Sequence, residues 1–110
     1  MNIKKIIGLP AIVSPRYRIV IDKAIRSQYG IEENTTLTLK QEIHLLKIKT
    51  DPDGLDFEHK KISIGRFNLP INWAQRNGVQ IGDCVFLLPT SSGIIIFPPK
   101  TEFLFLGRES

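Results

Sequence analysis

The stretch "IGRFNLPINWAQRNGVQIGD", residues 64–83, decides how the rest of the chain is read. Ile64-Gly65 supplies a bend, and Arg66–Leu69 follows as a short strand. Pro70 suits a first helical position, because its missing N–H has no intrahelical partner there. The spacing predicts a helix over Pro70–Asn77. Gly78 suits the left-handed residue that stops it. Gly82-Asp83 then opens the apolar run Cys84–Leu88.

A similar passage occurs 48 residues earlier. Set Arg18 over Arg66, and "RIVIDKAIRSQYGIEENTTLTL" lies over "RFNLPINWAQRNGVQIGDCVFL" without a gap. Arg18 meets Arg66, Ile21 meets Leu69, Gly30 meets Gly78, Leu37 meets Val85 and Leu39 meets Leu87. Fixed-period self-similarity of this kind indicates a duplication. Asp22 replaces Pro70 and suits the N-terminal end of a helix over Asp22–Tyr29. Extended runs precede each bend, "IIGLPAIV" before "SPRY" and "HKKISI" before "IG". Two further strands follow each helix: Thr36–Leu39 with Ile43–Lys49, and Cys84–Leu88 with Ile94–Phe97. The expected connections are "KQE" and "PTSSG". "TLTLK" alternates as a half-buried strand does, whereas "CVFLL" and "IIIF" suggest burial on both faces.

The unit is therefore β-β-α-β-β, and one copy is too small to bury its own apolar faces. Two copies sharing one core give the expected organisation. The first half covers 1–50, a linker turn 51–58, the second half 59–99 and a tail 100–110. Asp-Pro-Asp-Gly in the linker fits a type I turn. A calcium loop from Asp51, Asp53, Asp56 and Glu58 is disfavoured by Pro52 and by the position of the glycine. "FLFL" in the tail reads as an edge strand or an oligomer contact.

Bulk properties exclude several classes. The composition is globular, with 42% hydrophobic and 24% charged residues. Cys84 is the only cysteine, which rules out a disulfide framework or a cysteine-rich zinc site within one chain. No apolar run approaches the roughly 18 residues of a membrane span. The N-terminus, with Lys4 and Lys5 ahead of a short apolar run, faintly resembles a signal peptide but lacks a cleavage site, so a strand is expected instead. A cytoplasmic protein is expected. The formal charge of +4 is uneven: residues 1–50 hold nine Lys/Arg against four acids, and residues 51–110 hold six against seven. A basic half beside a near-neutral one points to a polyanion partner, or else to an ordinary solvated surface.

The second copy resembles the AbrB/SpoVT-like swapped-hairpin family. Gly65, Arg66, Leu69, Pro70, Gly78, Val79, Gly82 and Asp83 match the family pattern of Gly-Arg, an apolar pair ending in Pro, a short helix, Gly-Val and Gly-Asp. The first copy keeps Arg18, Ile21, Gly30 and Ile31. It departs at Tyr17, Asp22 and Asn34-Thr35, and keeps a basic helix residue, Arg26, where the second has Ala74. The resemblance implies a mainly β fold with short helices, a swapped-hairpin pseudo-dimeric barrel that binds DNA. Such domains occur in transition-state regulators, MazE-type antitoxins and MraZ-type regulators. The tandem layout is most similar to the last.

On that resemblance the residues expected to face double-stranded DNA are Arg16, Arg18, Lys23, Arg26, Lys60, Lys61 and Arg66. Arginine and lysine suit the task because phosphates dominate affinity and arginine can also fork onto a guanine edge. The same arginines could instead pair with an acid or with the backbone of the other half. Trp73 is expected in the core rather than stacked on a base. Asp83 is expected to cap a turn, and Cys84 to act as a small apolar residue in a buried strand. His44 and His59 have no paired ligands nearby in sequence, so neither a metal nor a cofactor is expected. No nucleophile, acid–base pair or phosphate loop marks an enzyme. The expected function is a DNA-binding transcriptional regulator working as a homo-oligomer. The alternatives are an antitoxin, for which the tail is short, and a β-barrel protein-interaction module that does not bind DNA.

Overall fold

A computed structural model of the chain describes residues 8–50 and 58–99. The linker aspartates, the lysines at the N-terminus and the "FLFL" tail lie outside the described residues, and so do the readings attached to them. The chain is mainly β, with eight strands, two short α-helices and one 3-10 turn at Pro15–Tyr17 among the described residues. The strands are β1 (Leu9–Ile12), β2 (Arg18–Val20), β3 (Thr36–Gln41), β4 (Leu46–Lys49), β5 (Glu58–Lys61), β6 (Arg66–Asn68), β7 (Cys84–Thr90) and β8 (Gly93–Phe97). The helices are α1 (Lys23–Tyr29) and α2 (Ile71–Arg76). Glu58, placed in the linker by the sequence, is already a strand residue.

All strand pairs are antiparallel. One sheet of six strands runs β1-β7-β8-β4-β3-β5, and β2 pairs with β6 in a separate ribbon. Tight turns join the two sheets. Ser14 bridges Arg18 between β1 and β2, and Ser63 bridges Arg66 between β5 and β6. The strand order thus closes on itself, and the ribbon lies across the circuit from the β8·β4 pair.

The registers repeat. Leu39 faces Ile48, and Leu87 faces Ile96, each partner displaced by 48 residues. Ile19 pairs with Phe67, and Lys47 with Ile95, so the ribbon and β4·β8 are each centred on a residue that meets its own counterpart, with the flanking pairs related crosswise. The outer strands pair across the two parts of the chain. β1 pairs with β7 from the other half of the chain, and β5 pairs with β3. Their displacement is 49, because the first turn has three residues between its bridging positions and the second has two.

Local chemistry explains these elements. The Asp22 carboxylate accepts a hydrogen bond from the Ala24 N–H at 3.0 Å, satisfying one orphan donor at the start of α1. Gly30 ends that helix at φ 65°. Pro70 lies one position outside α2, as its N-cap, rather than inside it. In the second half Gly82 turns with φ 94°, and the Asp83 carboxylate accepts from Gln80 N at 2.8 Å. In the first half Asn34 takes φ 67°, and the Thr35 hydroxyl accepts from Glu32 N at 2.8 Å. Asn tolerates the left-handed region and a hydroxyl can accept as a carboxylate does, so a different dipeptide makes the same turn.

Three expectations about the strands need correction. β3 continues through Gln41, and the turn is Glu42–Leu45, closed by Glu42 N donating to Leu45 O at 2.8 Å. β4 accordingly starts at Leu46, not Ile43. β7 and β8 largely alternate: Val85, Leu87, Ile94 and Ile96 are buried, while Cys84, Phe86, Leu88 and Ile95 are partly exposed. The β7–β8 connection is only Ser91-Ser92, since Thr90 already pairs with Gly93.

The core draws on both halves. Ile19, Ile21, Ile25, Leu37 and Leu39 pack with Phe67, Leu69, Trp73, Val85 and Leu87. Trp73 is fully buried. Each helix end also holds the opposite half's hairpin. The Tyr29 hydroxyl donates toward the carbonyls of Thr90 and Gly93. Asn77, its counterpart, donates from Nδ2 to the Ile43 carbonyl at 3.3 Å.

Candidate nucleic-acid interface

The ribbon β2·β6 positions the main candidate residues. Ile19 and Phe67 face the core, so the pairs Arg18–Asn68 and Val20–Arg66 share the outward face. Arg18 and Arg66 occupy equivalent places on the two strands. Arg16 lies in the turn that leads into Arg18, with φ 71°. The Asn68 amide donates to the Arg16 carbonyl at 2.9 Å and ties that turn to β6. Sequence reasoning missed Asn68; only the register reveals it as the partner of Arg18.

Neither ribbon arginine has an ion pair among the described residues. Arg18 makes only a long contact from Nε to the Pro15 carbonyl at 3.5 Å. Arg66 is half-buried, and its enclosed Nε has no hydrogen-bond partner. Such an orphaned donor is uncommon and costs free energy.

Both turns beside the ribbon contain two successive left-handed residues: Arg16 and Tyr17 in the first, Ile64 and Gly65 in the second. Glycine takes this conformation freely, but a β-branched side chain such as Ile64 does not. Ile64 holds φ 54° while remaining 72% exposed. Its N–H is pinned by the Glu33 carboxylate at 2.7 Å.

The other candidates are placed differently. Arg26 does not join the outward face. Its Nε donates to the Ile21 carbonyl at 2.9 Å, and its guanidinium lies over Gly65, where an added Cβ would come 3.0 Å from Cζ. Arg26 is thus a strut between α1 and the second turn. Lys23 is exposed at the start of α1. Lys60 pairs with Glu58 at 3.6 Å on β5, and Lys61 is exposed at the end of that strand. The structure therefore brings Arg16, Arg18 and Arg66 to one end, with Lys60 and Lys61 on the strand leading to it.

Trp73 is sealed in the core and cannot stack on a base. Cys84, expected in a buried strand, is partly exposed. His44 lies beside the Asn77 amide oxygen at 3.3 Å, and His59 is exposed on β5. Among the described residues no three His, Cys, Asp or Glu side chains group to hold a metal ion, and no helix is long and apolar enough to cross a membrane.

No protein-family model and no curated protein matches the chain. The solution structure of PHS018 from Pyrococcus horikoshii is similar over 89% of this chain and 91% of that one, at 18% identity and a TM-score of 0.49. A likeness of that degree is too slight to bear on function.

Proposed function

We propose that the chain is a DNA-binding transcriptional regulator of the AbrB/SpoVT-like type, formed from two tandem copies as a swapped-hairpin pseudo-dimer. One observation carries the reading: Arg18 and Arg66 stand on the outward face of a two-stranded ribbon, at equivalent positions and without acidic partners among the described residues. These are the positions where the resembled family places its DNA-facing arginines. A two-stranded ribbon fits the major groove, roughly 12 Å wide, and arginine can fork onto guanine there or hold phosphates at its rim. The exchanged pairing of β1 with β7 and β5 with β3 supports the swapped-hairpin part of the proposal. So does the register of the ribbon, which is centred on Ile19 and its counterpart Phe67, with Arg18–Asn68 and Val20–Arg66 related crosswise about that pair. One ribbon makes few phosphate contacts, so the regulator acts as a dimer of chains or larger.

A second reading has its own observation. Val20 on the ribbon face is 50% exposed, and Ile12 and Ile64 near it are more so. Exposed apolar side chains at the same end suit a protein partner, as in an antitoxin or another interaction module.

Fluorescence anisotropy with random duplex DNA at two salt concentrations separates the readings. DNA binding should fall steeply with salt, and Arg18→Ala or Arg66→Ala should each lower the salt slope by about 1. Circular dichroism controls for folding. No binding by the unaltered chain at low salt would overturn the DNA reading and leave the protein-partner one.

A further inference from the structure

Three of the nine Lys/Arg in residues 1–50 lie on one hairpin away from the ribbon. Lys40, Lys47 and Lys49 lie on β3 and β4, in the hairpin across the strand circuit from the ribbon. Lys40 pairs directly with Lys47, and the buried Thr38 with Lys49, so these four side chains share one face. Leu37, Leu39, Leu46 and Ile48 take the other face and enter the core. The four line a groove of about 230 Å³, which Ser92 and Ile95 border from the other half of the chain.

We propose that this groove is a second anion site, one that binds phosphate groups, independent of the ribbon. The electrostatics point that way. Like charges directly opposite on paired strands destabilise a sheet. Here the Glu42 carboxylate lies 3.8 Å from Lys40 and 3.7 Å from Lys47. Lys49 has no acidic partner among the described residues. Among the described residues three lysines, Lys40, Lys47 and Lys49, converge on one groove, with Glu42 shared between two of them. A phosphate presents several acceptor oxygens and a negative charge, and lysine answers it as a movable point charge.

The fold itself does not require these lysines. The residues 48 positions on from Thr38, Lys40, Lys47 and Lys49 are Phe86, Leu88, Ile95 and Phe97. The same backbone thus carries exposed lysines in one half where the other carries the partly exposed Leu88 and Ile95 and the buried Phe97. An even spread of solubilising charge would not divide in this way. Thr90 and Ser92 also line the groove, with the Thr90 hydroxyl donating to the Gly93 carbonyl at 2.7 Å.

Phosphate reaches such a groove as a nucleic-acid backbone or as a free phosphorylated ligand, and the test separates these sources. Amide chemical shifts of the labelled full chain would be followed with pyrophosphate, with a short random duplex, and with sodium chloride at matched ionic strength. Saturable shifts at Thr38, Lys47, Lys49 and Gly93 with either phosphate probe, but not with chloride, are expected. Lys47→Gln/Lys49→Gln should weaken that response by about tenfold or more, as loss of charged hydrogen bonds predicts. Arg18→Gln/Arg66→Gln should leave it intact, so failure of the ribbon reading and failure of this one are distinguishable. A response to duplex alone assigns the groove to a nucleic-acid backbone; a response to pyrophosphate alone assigns it to a free phosphorylated ligand. Equal shifts with chloride, or none with either probe, would overturn the proposal. Both lysines are exposed, and their removal relieves repulsion, so the double variant should fold at least as stably as the parent.

Discussion

Residues 8–50 and 58–99 follow the same order of strands and helix with different side chains. Where the backbone needs a special conformation, each half meets the need differently. Gly82-Asp83 in one becomes Asn34-Thr35 in the other, and both close the same turn. Where a helix crosses the other half's turn, the bulk is redistributed. Arg26 lies over Gly65. At the equivalent positions the helix carries buried Ala74 and the turn carries Tyr17, which packs against the core. Turns and contacts are thus constrained by geometry rather than by residue identity. The outer face of the hairpins is not so constrained, and there the halves have diverged most, lysine against leucine, isoleucine and phenylalanine.

The strongest way to break this comparison is through the shared core. Trp73 and Ile25 occupy equivalent helix positions, and both are buried. Trp73→Ala should cost about 3–5 kcal/mol, and Ile25→Ala about 2–5 kcal/mol, with the tryptophan the larger. Urea unfolding measures both. A single cooperative transition in each variant is expected, because one core serves both halves. Two separate transitions would mean that the halves fold independently.

Next in size is the packing of Arg26 on the turn. Gly65→Ala forces a Cβ onto a left-handed residue and against the guanidinium; about 1–2 kcal/mol should be lost from the backbone conformation alone. Gly78 has nearly the same φ, 68°, but open space around its missing Cβ. Gly78→Ala should therefore cost less than Gly65→Ala, and the gap should shrink when Arg26→Ala is added. An unchanged gap would show that Arg26 is not what crowds Gly65.

Ile64 offers a change in the opposite direction. Ile64→Asn would create Asn-Gly, the dipeptide favoured where both turn residues are left-handed, and should raise stability by about 1 kcal/mol. If the ribbon end binds DNA, this variant should keep the salt slope of the parent while unfolding at higher urea.

The smallest effect belongs to the equivalent turns. Asn34→Gly brings the first half closer to the second, and because Asn already tolerates the left-handed region the change should stay within about 0.5 kcal/mol. A loss much above that would mean the Asn34 side chain has a role its counterpart lacks.

How much of this was legible in the sequence depended on the range of the interaction involved. Gly30 and Gly78 stop their helices where expected because a left-handed end is a local demand that glycine meets. Asp22 caps α1 for an equally local reason. The β3–β4 turn was misplaced. "KQE" looks polar enough to turn, yet Lys40 and Gln41 are held in β3 by pairing with Lys47 and Leu46. Arg26 reads as a free basic residue on a short helix. Its task exists only because β6 of the other half brings Gly65 beneath α1. The lysine groove was hidden in the same way, since Lys40 and Lys47 lie in different strands and meet only through the register.

By itself, then, the sequence determined the local elements and their order: short strands, capped helices, left-handed stops and a pattern repeated after 48 residues. Their cause is backbone sterics and hydrogen bonding within a few residues. Tertiary structure alone decided which strands pair across the halves, which basic side chains face outward, and which become struts or share a groove. Those outcomes depend on contacts between distant residues. They form only when neither half can bury its apolar surface without the other.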